Sequence, residues 1–152
     1  MEEENSVPTK IGMIVIFGFF FNLLWEVLHS MLYDWDKAPL VNDIYIYIPR
    51  IVFYASLYDA FWMFFMVMIN SGINRSFKWL YSPQKRDWAL LIAGGLAIAI
   101  ISEISATMIH DEWSYNEYMP QVFGIGLTPL VQLAFTVVLS VYLSTKLKWQ
   151  KR

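Results

Sequence analysis

The segment "NLLWEVLH", residues 22–29, carries a carboxylate, Glu26, and an imidazole, His29, directly after the apolar run "IGMIVIFGFFF". Asn22, Glu26 and His29 are spaced four and three residues apart, which places their side chains on one face of a helix. An ionisable side chain in the middle of a membrane costs roughly 2.5–3.5 kcal/mol on insertion scales, so it is seldom kept without a use. The pattern is typical of acid–base chemistry, of a metal site or of a buried hydrogen-bonded pair.

Two further acids lie in two other apolar segments, Asp59 in residues 51–71 and Glu103 in residues 88–109. Each shares a helical face with polar or small residues, as does a fourth segment: Ser56, Met63, Met66 and Asn70 with Asp59; Gly95, Ala99 and His110 with Glu103; Pro129 and Thr136 with Gln132. Three acids facing lipid would be costly. The sequence therefore predicts that they face one another in a shared polar pocket.

We predict that Glu26, Asp59 and Glu103 are the catalytic acids of this pocket, which opens toward the outer face of the membrane. The predicted substrate-binding residues are Asn22, Trp25, His29, Trp62, Trp113, Tyr115 and Gln132, and His110 is included in the pocket. A carboxyl group buried among apolar and aromatic side chains can keep its proton and give it to an olefin or an epoxide, while aromatic faces stabilise the cation.

Other chemistries are less well served by these residues. Di-iron carboxylate bundles use two E-x-x-H motifs, and here Glu26 and His29 form one. A single metal ion on the same acids and histidines, or a haem between His29 and His110, are the alternatives; no metal ligand or cofactor is assigned. The chain has no cysteine, which excludes disulfides, iron–sulfur clusters and thiol nucleophiles. It also has no phosphate loop or serine-triad motif.

Four apolar segments position these residues, and each is long enough to be a membrane helix: residues 11–33, 51–71, 88–109 and 122–143. The chain of 152 residues is 57% hydrophobic and 16% charged, which is too apolar for a soluble domain of this size. The predicted fold is all-α, an integral membrane four-helix bundle. It forms a single domain over residues 11–145, between a disordered leader (residues 1–10) and a basic tail (residues 146–152).

Lysine and arginine are concentrated in the middle loop and the tail: Arg75, Lys78, Lys85 and Arg86, then Lys146, Lys148, Lys151 and Arg152. The two other loops hold Lys37 and Arg50. By the positive-inside rule both termini are cytoplasmic, and the cytoplasmic membrane of a prokaryote is the expected location. The two outer loops are acidic and aromatic, and we expect them to form a lid over the pocket.

Small residues and prolines predict how the helices pack. Gly94 and Gly95 let the third helix approach its neighbours closely, so we expect this helix to be the central one. Pro120 is predicted to begin the fourth helix, and Pro129 is predicted to bend it.

Two resemblances add to this interpretation. The sequence N-x-x-W-E, here Asn22 to Glu26, resembles a helix motif of fungal integral-membrane terpene cyclases, which implies that Glu26 acts in protonating an epoxide. Those cyclases are larger, and their second acid has no assigned match here. "NLLWE", "LYDAFW", "WSYNEYMP" and "GIGLTPLVQ" together resemble a group of small four-helix proteins of bacteria and archaea. That likeness implies a fold and no activity, and it groups the acids with Trp113, Tyr115, Met119, Pro120, Gly126, Pro129 and Gln132.

Three functions use the same residues. The first is an intramembrane acid–base pocket that binds or acts on a lipophilic partner, an isoprenoid by resemblance to the cyclases. The second is a small transporter or proton relay that uses the acids as carriers, and the third is a structural subunit held together by its polar groups. The expected partners are the membrane and a lipophilic molecule rather than nucleic acid. A homodimer would suit so small a unit, although the sequence does not specify one.

Overall fold

The structure is a computed structural model that describes residues 6–34, 45 and 48–147. These residues form four long helices: α1 (Val7–His29), α2 (Leu57–Asn74), α3 (Lys85–Ile104) and α4 (Leu127–Lys146). All four are long and apolar enough to cross a membrane, as predicted. Residues 1–5 of the predicted leader, residues 148–152 of the predicted tail and most of the first outer loop lie outside the described residues.

Shorter elements extend the helices and join them. A 3₁₀ turn (Ser30–Leu32) follows α1, and a second lies between α2 and α3 (Lys78–Leu80). Segments of π-helix precede α2 (Pro49–Ser56) and follow α3 (Ser105–Ile109). Two antiparallel strand pairs, which the sequence did not predict, join β1 (Tyr33–Asp34) to β2 (Ser114–Tyr115) and β3 (Gln121–Val122) to β4 (Ile125–Gly126).

The bundle has two different ends. We call the end where α1 and α3 finish and α2 and α4 begin the loop end, because all four strands lie there. The other is the terminal end, where α1 begins and α4 finishes. The predicted outer halves of the helices all lie at the loop end.

Helix α1 begins at Val7 and not at residue 11, because two local signals start it early. The side chain of Ser6 accepts a hydrogen bond from the Thr9 N–H at 3.4 Å, and Pro8 occupies the first turn. The last residues of the predicted leader are therefore helical.

Helix α4 begins at Leu127, five residues later than predicted. The β3–β4 hairpin takes up the preceding residues, and its turn uses positive φ at Phe123 and Gly124. Pro120 lies before the hairpin and does not begin the helix. Pro129 falls in the first turn of α4, where its missing N–H would have no partner inside the helix, so the predicted bend has no cause.

Helix α4, and not α3, is the central helix: half of its span is buried, a larger share than in the other three. Its contact with α3 is very close, because a Cβ built on Gly95 would lie 2.6 Å from the Ala134 Cα. The prediction that small residues draw α3 onto a neighbour is confirmed at this point. At Gly18 of α1, the end of the Met63 side chain of α2 fills the space, since a Cβ there would lie 2.6 Å from the Met63 Cε.

The terminal end is held by polar contacts among buried residues. Lys10 of α1 donates from Nζ to the carbonyl of Ser144 at 3.0 Å, and its ammonium lies 4.8 Å from the centre of the Tyr81 ring. In the loop between α2 and α3, the Trp79 indole donates to the Ser71 hydroxyl at 2.9 Å. These contacts fix both chain ends of the bundle and the middle loop.

Replacing Gly95 with alanine should destabilise the bundle, because the new Cβ meets backbone atoms of α4 that cannot move aside. Overpacking of this kind costs about 1–3 kcal/mol. Unfolding in mixed micelles with increasing denaturing detergent measures the change. The matched control is Gly12→Ala, whose Cβ meets nothing within 4 Å, and which should be neutral or slightly stabilising. Equal unfolding curves for the two variants would contradict the close α3–α4 contact.

Candidate functional site

The loop end brings the three predicted acids to one cavity. Glu26 lies near the end of α1, Asp59 near the start of α2 and Glu103 near the end of α3. The cavity has a volume of about 170 Å³. Its lining is Glu26, His29, Ser30, Tyr33, Ala55, Tyr58, Asp59, Ile98, Ala99, Ser102, Glu103, Trp113, Pro129, Gln132 and Leu133.

Gln132 of α4 links two of the acids. Its amide nitrogen lies 2.8 Å from Glu26 Oε1 and 2.8 Å from Asp59 Oδ2, and 3.3 Å from Asn22 Oδ1. A primary amide has two N–H groups, so the two shorter contacts use both of its donors. One buried side chain thus fixes carboxyl groups from two other helices.

A second layer lies beneath this bridge. Asn22 is fully buried; its Nδ2 donates to the Gly18 carbonyl at 2.9 Å and contacts the Met63 sulfur at 3.2 Å. The Thr136 hydroxyl donates to Asn22 Oδ1 at 3.1 Å. Asn22 therefore supports the site from below and does not line the cavity.

His29 lies beside Glu26 and is buried. Its Nε2 is 3.6 Å from Glu26 Oε2, and its ring meets the edge of the Tyr33 ring with centroids 5.2 Å apart. Its Nδ1 has no hydrogen-bond partner among the described residues. The predicted Glu26–His29 pair is thus present, and the Nε2 atom of His29 faces Glu26.

Glu103 forms the opposite wall with different partners. Its Oε2 accepts a hydrogen bond from the Tyr115 hydroxyl, and the Trp113 indole nitrogen lies 3.5 Å from the same oxygen. Gly126 makes room for this arrangement, since a Cβ there would lie 2.9 Å from the Tyr115 ring. Trp113, Tyr115 and Gly126 therefore lie together beside Glu103.

Aromatic rings form a rim over the acids, and the β1–β2 pair positions them. Tyr33 is paired with Tyr115 in the strand register, with ring centroids 5.7 Å apart, and Trp113 lies 6.0 Å from Tyr33. Burial raises the pKa of Tyr33 well above its ordinary value, and the neighbouring carboxyl groups raise it further. Burial, followed by the hydrogen bond to Glu103, also raises the pKa of Tyr115. Both phenols therefore keep their protons at physiological pH, and the Tyr115 hydroxyl donates to Glu103.

Three predicted pocket residues lie elsewhere. Trp25 packs on Phe135, with ring centroids 5.9 Å apart, and Trp62 lines a separate groove between α2 and α3. His110 is exposed. The seven-residue spacing from Glu103 assumes a regular α-helix, but π-type bonding over Ser105–Ile109 places more residues in each turn and rotates His110 away.

The sequence interpretation missed Tyr33, Tyr58 and Ser102, which all line the cavity. Tyr33 follows His29 by four residues, so the helical face of Asn22, Glu26 and His29 already pointed to it. Tyr58 and Ser102 each precede an identified acid by one residue. Helical spacing alone does not place such neighbours on the same face, so no comparable signal exists for them.

A second cavity adjoins the first toward the loop end. Its volume is about 800 Å³, and the two share Ala55, Tyr58, Ser102 and Trp113 in their linings. Hydroxyl groups of Tyr45, Tyr54 and Ser105 contribute to it. The acids are thus reached from a larger, more polar space.

The alternative of a metal site requires side chains that could bind an ion together. Within residues 6–34, 45 and 48–147, no three side chains of His, Asp or Glu converge closely enough to hold an ion. Comparisons of the chain with protein-family models, with curated proteins and with solved structures find no match. The description of the site therefore depends on its own geometry.

Replacing Gln132 with leucine should destabilise the protein, because two partly buried carboxyl groups lose the donor that they share. Loss of a partner by a buried polar group costs about 1–3 kcal/mol, so the free energy of unfolding should fall by roughly that amount. Gln121→Leu, on the exposed β3 strand, is the matched control and should change it by less than about 0.5 kcal/mol. In a double-mutant cycle Asp59→Asn should couple to Gln132→Leu; strict additivity would argue against the bridge.

The raised pKa of Tyr33 and Tyr115 should make the protein sensitive to strong base. Unfolded tyrosine ionises near pH 10, so the stabilisation is complete below that pH and is lost as pH rises beyond it toward the folded pKa. Unfolding measured at increasing alkaline pH should show a decline that Tyr33→Phe reduces. The exposed Tyr118→Phe serves as control. If Tyr33→Phe leaves the decline of stability at alkaline pH unchanged, this would contradict the raised pKa of Tyr33.

Proposed function

We propose that the chain is a small integral membrane protein that binds a lipophilic molecule at the loop end and transfers protons to and from it. The observation that supports this is the convergence of Glu26, Asp59 and Glu103, from three helices, on one cavity whose remaining lining is largely apolar and aromatic. In the proposed orientation the loop end faces outward and the basic terminal end faces the cytoplasm.

The proposed proton donor is the Glu26–Asp59 pair. Two carboxylates a few ångströms apart in a poorly polarisable site repel each other strongly if both are charged. The single amide of Gln132 that bridges them is neutral and does not offset two charges. We infer that the pair holds one proton between its oxygens, available to the cavity.

The proposed reaction moves this proton onto an olefin carbon or an epoxide oxygen of the bound molecule. The resulting positive charge on carbon lies beneath the rings of Tyr33 and Trp113, which can stabilise it. Glu103 then removes a proton from an adjacent carbon, so that a new double bond forms and the charge is neutralised. The proton returns from Glu103 to the pair through the cavity, and the net reaction is an isomerisation or cyclisation. An isoprenoid is the substrate class that this chemistry and the N-x-x-W-E resemblance favour.

One observation favours the second function, a proton relay. Gln132, Thr136, Ser140 and Ser144 form a buried polar line along α4, and Lys10 lies at its far end. However, the Ser140 and Ser144 hydroxyls each donate at 2.7 Å to carbonyls of their own helix. Such hydroxyls equally serve close helix packing, so the relay is the second candidate.

The acids can be tested in proteoliposomes with the terminal epoxide of farnesol as the substrate probe. Glu26→Gln and Asp59→Asn should each reduce formation of isomerised or cyclised product by about 100-fold or more, the usual contribution of a general acid. Glu117→Gln, an exposed acid in the second outer loop, is the matched control and should keep full activity.

Each alternative has its own result in the same vesicles. No product, but a proton conductance that disappears in Asp59→Asn, would favour the relay. If Glu26→Gln, Asp59→Asn and Glu103→Gln change only the free energy of unfolding, the structural role would replace our proposal.

A further inference from the structure

The seam between α2 and α3 is hollow, unlike the other helix contacts of the bundle. Gly95 against Ala134 closes the α3–α4 contact, and Gly18 against Met63 closes the α1–α2 contact. Between α2 and α3, by contrast, a groove lies open, and both the acid cavity and the cavity at the loop end also have walls from the α2 and α3 sides.

The innermost of these cavities is an apolar groove of about 410 Å³. Its walls are Trp62, Phe65, Met66, Ile69, Asn70 and Ile73 of α2 and Leu90, Ala93, Gly94, Ala97 and Ile98 of α3. On the α3 side small residues form much of the wall, so the groove is deep. A Cβ on Gly94 would lie 3.2 Å from the Met66 sulfur, which marks how near the two helices come.

The groove adjoins the acid site. Ile98 lines both the groove and the cavity that holds Glu26, Asp59 and Glu103. That cavity, at about 170 Å³, is smaller than the 300–1,000 Å³ typical of small-molecule sites. A ligand that reaches the acids must therefore extend into a neighbouring space, and the groove is the space that suits hydrocarbon.

Polar side chains close the inner end of the groove. Asn74 donates to Asn70 Oδ1 at 3.0 Å and to Asp87 Oδ1 at 2.8 Å, and Arg86 donates to Asn74. The Asn70 side chain is buried, and its Nδ2 has no partner within the described part of the chain. Between Asp59 and Asn70 the helix rises about 16 Å at 1.5 Å per residue, which sets the length of hydrocarbon that fits.

We propose that the α2–α3 seam is a lateral entrance from the bilayer that binds one hydrocarbon chain of a single-chain amphiphile, with its polar end toward the acids. This inference rests on the proposed function and adds the shape of the ligand. The hydroxyl-lined cavity at the loop end suits the polar end, and the groove suits the chain. A groove of about 410 Å³ is at the small end of ligand sites, which favours one chain over the two chains of a phospholipid.

The test uses the full chain in nanodiscs with saturated fatty alcohols that carry a diazirine at the end of the chain. Photolabelling should fall on α2 and α3 near Ile69, Asn70 and Leu90. Unlabelled alcohols that increase in length by two methylenes at a time serve as competitors. Their affinity should rise about fourfold for each added methylene, which corresponds to ~0.8 kcal/mol. The gain should stop once the chain reaches Asn70.

A larger side chain in the groove should reduce the chain length at which the affinity stops rising. Gly94→Leu should weaken binding of the longest alcohol about 16-fold, as if two methylenes were left unburied. Ala97→Leu is a second variant in case the first unfolds. Short alcohols should bind as before. Gly12→Leu is the matched control, since its side chain enters open space on α1, and it should match the wild type.

Three results would overturn the inference: labelling spread evenly over four helices, no dependence on chain length, or equal effects of Gly94→Leu and Gly12→Leu. Cross-links between two copies through Phe65 or Ile69 would assign the seam to a second copy and would overturn it as well. If the alcohols bind in the groove but Glu26→Gln and Asp59→Asn leave epoxide turnover intact, the groove stands and the proposed chemistry fails.

Discussion

The arrangement of the loop end depends on one hydrogen-bonding constraint: carboxyl groups placed inside an apolar bundle need donors from the protein. Gln132 supplies them to Glu26 and Asp59, and Tyr115 and Trp113 supply them to Glu103. Because these donors come from α4 and from the loop before it, the rotation of α1, α2 and α3 about their axes is set by polar contacts that apolar packing alone would not specify.

Much of the fold could be predicted because its signals are local and strong. Four apolar stretches of membrane-spanning length gave four helices, and the periodicity of polar residues identified the buried faces that carry Glu26, Asp59, Glu103 and Gln132. Burial of a carboxyl group in hydrocarbon is costly enough that these faces had to meet. The convergence of the acids on one cavity followed from that argument.

The remaining features depend on geometry that spacing does not reveal. The π-helical segment after α3 changes the rotation per residue, and no residue type in the sequence predicts it. This segment turns His110 away from the acid cavity. Trp25 and Trp62 lie on the flanks of their helices and meet Phe135 and the α2–α3 groove, because an indole is apolar enough to pack anywhere on a membrane helix. The hairpin before α4 consists of two short strands in an apolar context, and its apolar residues are predicted from the sequence to belong to the fourth helix.

The buried ammonium of Lys10 has an effect far from its own position. It binds the carbonyl of Ser144, at the negative end of the α4 dipole, so it favours one axial position of α1 along α4. Glu26 lies about 24 Å farther along α1 at the usual rise per residue. The axial register at the terminal end therefore sets the height of Glu26 against Gln132 at the loop end, and α1 acts as a rigid spacer between the two ends.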